Sequence, residues 1–452
     1  MTTTPRQLRL GAYFTGAGVQ GDSWRHPAAH TDAYRNFDRY KEYAQKLEAA
    51  CFDALFFYDN VFAASDATTV STAPLSPRWD PLVLVAALAL VTQRIGLVAT
   101  VSTSYSEPYN VARHFASLDH LSQGRVGWNI VTSTAGGENF NLPAHRDHAE
   151  RYARAHEFVD VVTGLWDSWA DDAFLENKAS GQWADPAKLH LLHHVGQHFR
   201  VKGPLNAPRP VQGWPVLCQA GSSEAGKNLA ARVGELLYTA AQDIDEARDF
   251  YRDVKARAVR YGRSPEQIHI LPGVMPVIGR THAEANAKFA ELLAYRDTDV
   301  QLRALSSYAS LGVDLTGLSP SDRVPLPEHI PETNAHKSRQ KLLVDWIRHE
   351  RPTVQQLLTR WSAGGHRMLV GTPQSIADDF AHWFHTGACD GFNVMFSSTP
   401  GGLDDFVELV VPELQRRGLF RTAYTGHTLR EHLGLPRPAF PAQPAQPQPL
   451  AA

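Results

Sequence analysis

Residues 216–228 read Val-Leu-Cys-Gln-Ala-Gly-Ser-Ser-Glu-Ala-Gly-Lys-Asn. A short apolar run leads into small residues, and these lead into a stretch typical of a helix. Small residues before a helix leave room for an anion, which the free backbone N–H groups and the positive end of the helix dipole attract. The stretch therefore predicts a strand, a phosphate-binding turn and a helix.

The same alternation of strand and helix recurs along the chain. Amphipathic stretches such as 33–50 and 245–261 separate short runs rich in Val, Ile, Leu, Phe and Tyr. Because strands that alternate with helices form parallel sheets, eight such units predict an α/β fold, a (β/α)8 TIM barrel. The eight predicted strands are Leu8–Phe14, Asp53–Asp59, Ile95–Ser102, Arg125–Ser133, Pro215–Gly221, Leu236–Ala241, Ile268–Gly279 and Gly391–Ser397.

Two connections are longer than a crossover helix requires. The first insertion, about 171–213 after strand four, carries Gly-Pro and Ala-Pro-Arg-Pro turn signals, and the second, about 281–389, follows strand seven. We predict a single barrel domain over 1–435 with these two insertions, the second of them a lid. Residues 436–452, rich in Pro, Gln and Ala, are predicted to form a disordered tail.

The composition is that of an ordinary globular protein. The 452 residues are 43% hydrophobic and 20% charged, and a net charge of −3 gives no reason to expect nucleic acid or an anionic membrane as partner. Cys51, Cys218 and Cys389 lie far apart, which predicts free thiols in a reducing compartment. The N-terminus lacks an apolar signal core, and 81–91 is too short to cross a bilayer, so we expect a cytoplasmic protein.

Polar residues stand where several predicted strands end. They include Asp59, Ser104, Asn129, Ser222 and Ser223. The carboxyl ends of barrel strands carry the working residues of such folds, and hydroxyls, amides and one carboxylate suit a polar cofactor ring and its phosphate better than a metal. The same residue types are favoured as helix N-caps, so capping remains the alternative for each of them.

Three further features near these ends have two interpretations each. Asp59 follows a run that should be buried, so it either accepts a hydrogen bond from a cofactor or caps the next segment. His148 and Tyr152 share a helix face and either reach a phosphate or lie in solvent and in the core, respectively. Trp24 and His26 contribute either to a substrate site or to a surface loop.

Two other kinds of site are weighed against these. The four histidines between 190 and 198 invite a zinc hypothesis, but the Pro and Gly around them indicate a hairpin, and no HExxH pattern occurs. Gly221 and Lys227 have the spacing of a P-loop, but Asn228 stands where Ser or Thr should bind magnesium. A nucleotide-hydrolysing enzyme is therefore the weakest interpretation.

Several linked motifs occur in order along the chain: Trp24–Pro27, Leu118–Ser133, Gly203–Asn206 leading into Gln219–Ser223, Gly371–Pro373 with Ile376–Asp378, and Val411–Gly418. In these motifs the chain resembles the flavin-dependent monooxygenases of the bacterial-luciferase-like superfamily, in the group that includes nitrilotriacetate, EDTA and dibenzothiophene-sulfone monooxygenases. The resemblance extends from about residue 8 to residue 435.

The resemblance implies a two-component enzyme. It would bind reduced FMN from a separate NAD(P)H-dependent flavin reductase, react it with O2 and insert one oxygen atom into a small organic substrate such as a sulfone or an aminopolycarboxylate. It also implies a homodimer or homotetramer. A flavin-binding protein without oxygenase activity is the alternative.

The resemblance also assigns roles to residues. Asp59 and Ser104 would hold the isoalloxazine edge or the ribityl chain with Asn129 nearby, although the family often has Ala-Asp-Ser where this chain has Tyr58-Asp59-Asn60. The predicted phosphate ligands are His148, Tyr152, Ser222 and Ser223. The predicted substrate-pocket residues are Tyr13, Phe14, Trp24 and Phe56, with His26 as a candidate for substrate contact or proton delivery. No metal is expected.

Overall fold

The computed structural model describes residues 6–19, 22–63, 70–71, 78–142, 146–333 and 337–441. Within these residues, eight parallel strands follow one another around a closed sheet. Their bounds are β1 Arg9–Tyr13, β2 Ala54–Phe57, β3 Gly96–Ser102, β4 Val126–Val131, β9 Val216–Gln219, β10 Leu236–Thr239, β11 His269–Ile278 and β13 Gly391–Met395. The strands with the intervening numbers belong to the two insertions.

The register of the strands explains how the sheet closes. Each strand pairs in parallel with the next, and β13 returns to β1 with Gly11 opposite Asn393. The ten-residue strand β11 pairs with β10 over 269–272, whereas its second half, 274–278, pairs with β12 (Arg367–Gly371). The (β/α)8 barrel is thus confirmed, and β12 is a further parallel strand that the sequence did not predict.

Helices between the strands cover the outside of the barrel. Their starts carry the expected caps; for example, the Asp80 carboxylate accepts from the N–H groups of Leu82 and Val83. The helices are α1 Phe37–Ala49, α2 Pro81–Ala89, α3 Pro108–Leu121, α4 His148–Trp166, α5 Glu224–Val233, α6 Ile244–Arg260, α7 His282–Ala294, α8 Thr298–Ala309, α9 Lys337–Glu350, α10 Val354–Arg360, α11 Pro373–His385, α12 Gly401–Asp405, α13 Val411–Arg416 and α14 Leu429–Leu433.

Alternate strand residues fill the barrel interior, as the period-2 geometry of a strand requires. Large side chains inside include Phe56 and Tyr238, whose ring centroids lie 4.2 Å apart. Leu429 and Leu433 of α14 belong to the same cluster. Leu429 lies directly against Gly96, the first residue of β3, so this helix seals the barrel end opposite the strand C-termini.

The first insertion forms two hairpins, β5 (Phe174–Asn177) with β6 (Gln182–Ala184) and β7 (His194–Val195) with β8 (Arg200–Val201). The second insertion has a hydrophobic core of its own, built by α8, α9, α10 and the segment between α8 and α9. Its buried residues are Leu302, Leu305, Leu311, Leu315, Val324, Leu343, Val344, Ile347, Val354, Leu357 and Leu358.

The predicted tail lies mostly outside the described residues, which end at 441. Its start is held by contacts: Arg437 pairs with Asp171 of the first insertion, and the Pro438 carbonyl accepts from Arg209. Among the described residues, no helix combines the length and apolar character that crossing a membrane requires.

Candidate functional site

The ends of β2, β3 and β4 are joined by a chain of buried hydrogen bonds. The Thr100 hydroxyl donates to the Phe57 carbonyl at 2.7 Å and accepts from Asn129 Nδ2 at 2.9 Å. Because its nitrogen is used in this way, the Asn129 amide is fixed in one orientation. Its oxygen, Oδ1, is shielded from solvent and has no hydrogen-bond partner among the described residues.

A turn at the end of β3 places Ser104. The Ser102 hydroxyl accepts from the Ser104 N–H at 3.1 Å and lies 2.7 Å from the Ser133 hydroxyl, so both sides of this turn are anchored. The Ser104 hydroxyl is buried and has no partner within the described part of the chain. Like the Asn129 oxygen, it could form a hydrogen bond with a bound ligand.

Two residues that the sequence analysis did not propose belong with these. Thr15 Oγ1, just after β1, and Asn60 Oδ1, after β2, are also buried and lack a partner among the residues described. A buried polar atom without a hydrogen bond costs about 1–3 kcal/mol. Four such atoms lie in or just after the ends of the neighbouring strands β1–β4, which makes this rim a candidate surface for a polar ligand. The position after a predicted strand was the signal that could have identified both residues.

Asp59 lies on this rim in a partly buried position. Burial raises the pKa of its carboxyl group from 3.8 to about 6, and the negative charge of Asp80 adds to the rise, while Arg78 opposes it. A carboxyl group with such a pKa exchanges its proton near neutral pH.

The turn at 220–223, called the cradle below, joins β9 to α5, so the predicted strand, turn and helix are present. Ser223 is the N-cap of α5, and its hydroxyl accepts from the Gly226 N–H at 3.2 Å. His148, at the start of α4, places Nε2 3.4 Å from the same hydroxyl. The His148 and Tyr152 rings lie 4.8 Å apart, so the structure brings the predicted phosphate ligands of α4 and α5 together.

The cradle depends on glycine at residue 221. A Cβ there would lie 2.4 Å from Gln219 Nε2 and 2.8 Å from the Tyr152 hydroxyl oxygen. Since both distances are shorter than real carbon contacts, any larger residue would push these two polar groups aside. Gly221 keeps this space open between Gln219 and Tyr152.

The P-loop interpretation is contradicted by the cradle's cation. Lys227 Nζ lies 2.6 Å from an Asp253 oxygen and also pairs with Glu224, so its charge is directed to α6 and away from the turn. The Asn228 side-chain oxygen accepts from Arg257 at 2.6 Å. Neither residue occupies the position that a nucleotide-hydrolysing P-loop requires.

The predicted pocket aromatics divide between two places. Tyr13, at the end of β1, lies in a cluster with Met275 and Met395 near the strand ends. Phe14 instead packs against Tyr40 and Tyr43 of α1, at 4.9 and 5.2 Å between ring centroids. The placement of Phe14 in a substrate pocket is therefore wrong, because alternate residues of a strand face opposite sides of the sheet.

Phe56 lies inside the barrel, with its ring centroid 4.2 Å from that of Tyr238 and 5.7 Å from that of Tyr13. Trp24 is half-buried in the loop after β1, and its indole N–H has no partner among the described residues. In the same loop, His26 Nε2 lies 3.3 Å from a Glu291 oxygen, and the His26 ring contacts Tyr295. The structure thus places His26 at the contact between this loop and the second insertion.

Two histidines of the first insertion have structural partners. His194 Nε2 lies 3.0 Å from a Glu157 oxygen, and His190 packs against Phe440. Within the described residues, no group of three or more His, Cys, Asp or Glu side chains is arranged to hold a metal ion.

Comparison with known proteins decides the family. A family model described as luciferase-like monooxygenase matches residues 21–390. The chain belongs to the luciferase-like monooxygenase family. The family resemblance and the prediction of a monooxygenase are both confirmed.

Two curated relatives match this luciferase-like monooxygenase over nearly its full length. N-acetyl-S-(2-succino)cysteine monooxygenase of Bacillus subtilis (strain 168) is 46% identical over 443 residues, which are 97% of this chain and 99% of the relative. Nitrilotriacetate monooxygenase component A of Aminobacter aminovorans is 44% identical over 445 residues, which are 96% of this chain and 97% of the relative.

A solved structure shows the same architecture. Riboflavin lyase, crystallised with a modified FMN and its substrate riboflavin, superposes on this luciferase-like monooxygenase with a TM-score of 0.84 and 34% sequence identity. The superposition covers 95% of this chain and 96% of that chain.

Proposed function

We propose that this luciferase-like monooxygenase binds reduced FMN and uses it with O2 to insert one oxygen atom into a small organic substrate. The row of buried, unpartnered polar atoms at the carboxyl ends of β1–β4, together with the cradle before α5, carries the proposal. Both features lie at the carboxyl ends of the barrel strands, where this fold places its active sites.

The donor and acceptor types at this rim fit FMN. Asn129 Oδ1 accepts only, Ser104 Oγ can donate or accept, and Asp59 can do either according to its protonation. Such groups suit the N–H and carbonyl edge of a flavin ring and the hydroxyls of its ribityl chain. The cradle offers the Ser222 and Ser223 hydroxyls and the first N–H groups of α5 to a phosphate. The riboflavin lyase neighbour, which contains a modified FMN, supports this reading.

The bound reduced flavin would supply the electrons that activate O2. The protein's part is to position the ring and to exclude water. Tyr13, Met275 and Met395 form an apolar cluster with Ala363, which the second insertion contributes. We propose that this cluster keeps the reacting centre dry. Asp59, with a pKa of about 6, would hold or release a proton beside the ring.

We propose that the reduced flavin comes from a separate NAD(P)H-dependent reductase. One relative is named as component A of its enzyme, a name that supports a second component. Two relatives act, by their names, on nitrilotriacetate and on N-acetyl-S-(2-succino)cysteine, both of which carry several carboxylates. Another is a dibenzothiophene-sulfone monooxygenase.

Oxygen consumption tests the proposal. The protein is mixed with a flavin reductase, NADH and FMN, and then with an aminopolycarboxylate, a succinylated thioether or an aryl sulfone. We expect one of these to be oxygenated, with one atom of labelled O2 in the product. A protein that binds FMN but oxygenates none of a broad panel would favour the non-catalytic alternative.

Ser223→Asp tests the cradle. Aspartate is as good an N-cap as serine, so α5 should be preserved, but its carboxylate would lie against the cofactor phosphate and repel it. We expect FMN affinity to fall at least tenfold while riboflavin affinity changes little. Ser223→Asn is the matched neutral control and should keep most of the affinity. Equal FMN affinity of the Asp and Asn variants would place the phosphate elsewhere.

A further inference from the structure

A small cavity adjoins the cradle on the side of β10. Ser222 of the cradle and Thr239 at the end of β10 line it together with Glu246 of α6 and Arg339 of α9. Its volume is about 50 Å³. Since a water molecule occupies roughly 30 Å³ in the liquid, the cavity has room for a group of the size of one or two waters. The other lining residues are Ala240, Ala241, Phe250 and Leu342.

Arg339 is held firmly at this cavity although it belongs to the second insertion. One guanidinium nitrogen donates to the Gly365 carbonyl at 2.7 Å, and the other lies 2.8 Å from His366 Nε2. Burial lowers the pKa of His366 well below its usual 6.5, and the charge of Arg339 lowers it further, so the imidazole is neutral and can accept from the guanidinium.

His366 connects Arg339 to the barrel wall. A Cβ on Gly273 of β11 would lie 2.2 Å from His366 Nδ1, so the ring rests directly against the bare backbone of that strand. Through this contact the guanidinium has a fixed position relative to β10 and β11. A positive charge that is preorganised at the strand ends loses little freedom when it binds an anion.

The cradle's own lysine cannot supply this charge. Lys227 is engaged by Asp253 and Glu224, as described above. A phosphate monoester carries a charge of about −1.5 to −2 at pH 7. Glu246 lines the same cavity: burial raises the pKa of its carboxyl group and the charge of Arg339 lowers it, so the two side chains interact there. Arg339 is the cationic residue among those that line the cavity beside Ser222, and a bound phosphate would compete with Glu246 for its charge.

We propose that Arg339 of the second insertion binds the phosphate of the flavin from the β10 side of the cradle, so that cofactor binding and docking of this insertion stabilise each other. The inference rests on the proposed function, because it requires FMN in the cradle. The coupling must be reciprocal: a phosphate bound to the positioned Arg339 holds the insertion on the barrel, and a docked insertion raises the affinity for the phosphate.

Binding of oxidised FMN and of riboflavin, followed by flavin fluorescence, separates the outcomes. Arg339→Met should weaken FMN binding about tenfold or more, which is the value of a charge-assisted hydrogen bond, and leave riboflavin binding unchanged. Arg339→Lys should restore part of the FMN affinity. The matched control is Arg303→Met, which removes an exposed arginine from α8 of the same insertion.

Hydrogen exchange of the wild-type protein gives a second test that needs no variant. FMN should slow exchange of the amides in 298–361 more than riboflavin does. Equal protection by both ligands, or FMN binding by Arg339→Met at wild-type affinity, would overturn the inference. A change in substrate KM with unchanged FMN affinity would overturn it too and assign the cavity to the substrate. If the wild-type protein binds neither flavin, the proposed function itself fails.

Discussion

The surroundings of Asp59 change the proton affinity of its carboxyl group. Burial raises the pKa of its carboxyl group to about 6, above the value of about 3.9 in an unfolded chain. Between these pH values the unfolded state binds fewer protons, so this group lowers the free energy of unfolding as pH rises from about 4 to about 6. This decrease in the free energy of unfolding is complete above about pH 6 and absent below about pH 4.

We therefore expect Asp59→Asn to gain thermal stability relative to wild type as pH rises through this window. The measurement is the difference between the two melting temperatures at pH values from 4 to 7. Asp249→Asn, at an exposed residue of α6, is the matched control and should show no such trend. A difference that stays constant or shrinks with pH would contradict the raised pKa.

The residues that sequence analysis could and could not identify differ in a simple physical way. Asp59, Asn129 and Ser223 follow or end apolar runs, so the barrel rule alone predicts their place at the rim. Arg339 lies within a long insertion, and its approach to Ser222 depends on how that insertion docks. To place Phe14 correctly, one must know which strand residues face the barrel interior, and an error of one residue moves a side chain to the other side of the sheet.

At the scale of elements, all eight barrel strands were predicted, because each combines an apolar run with flanking helix signals. β12 was not predicted, because its five residues lie inside the second insertion and pair only with the extension of β11. The insertion's own core likewise comes from residues between 302 and 358, and no simple period joins them.

A core of its own predicts that the second insertion can loosen without the barrel. Leu357 of α10 is fully buried in it, and Leu357→Ala should cost about 2–5 kcal/mol in that core. Hydrogen exchange should become faster over 298–361 and remain unchanged in β1–β4. Gln355→Ala, at an exposed residue of the same helix, is the control. Faster exchange throughout the barrel strands would show that both cores unfold as one unit.

At the scale of the whole molecule, α14 covers one end of the barrel and the candidate site lies at the other end. Arg430 of α14 pairs with Glu235 at 2.7 Å and donates to the Trp214 carbonyl, which fixes the helix that seals the lower end. The polar rim, the cradle and the second insertion gather at the opposite end. This polarity follows from parallel strands, so the general location of the site could be predicted once the fold was known.

The outer surface of the barrel carries a prediction about assembly. Every residue of α2 is apolar, a composition normal for a helix buried on all sides, yet Val83 is 62% exposed and Leu90, the residue that follows the helix, is 74% exposed. We expect a second copy of the chain to cover this exposed apolar side of α2 in a homo-oligomer.

Light scattering after gel filtration measures the mass of the particle. Val83→Glu and Leu90→Glu should each shift the protein towards the monomer, because burying either apolar side chain contributes about 1.5–3 kcal/mol and a symmetric interface contains each residue twice. Val259→Glu, an equally exposed valine on α6, is the matched control and should leave the mass unchanged. Monomeric wild type, or variants that keep the wild-type mass, would show that α2 faces water for another reason.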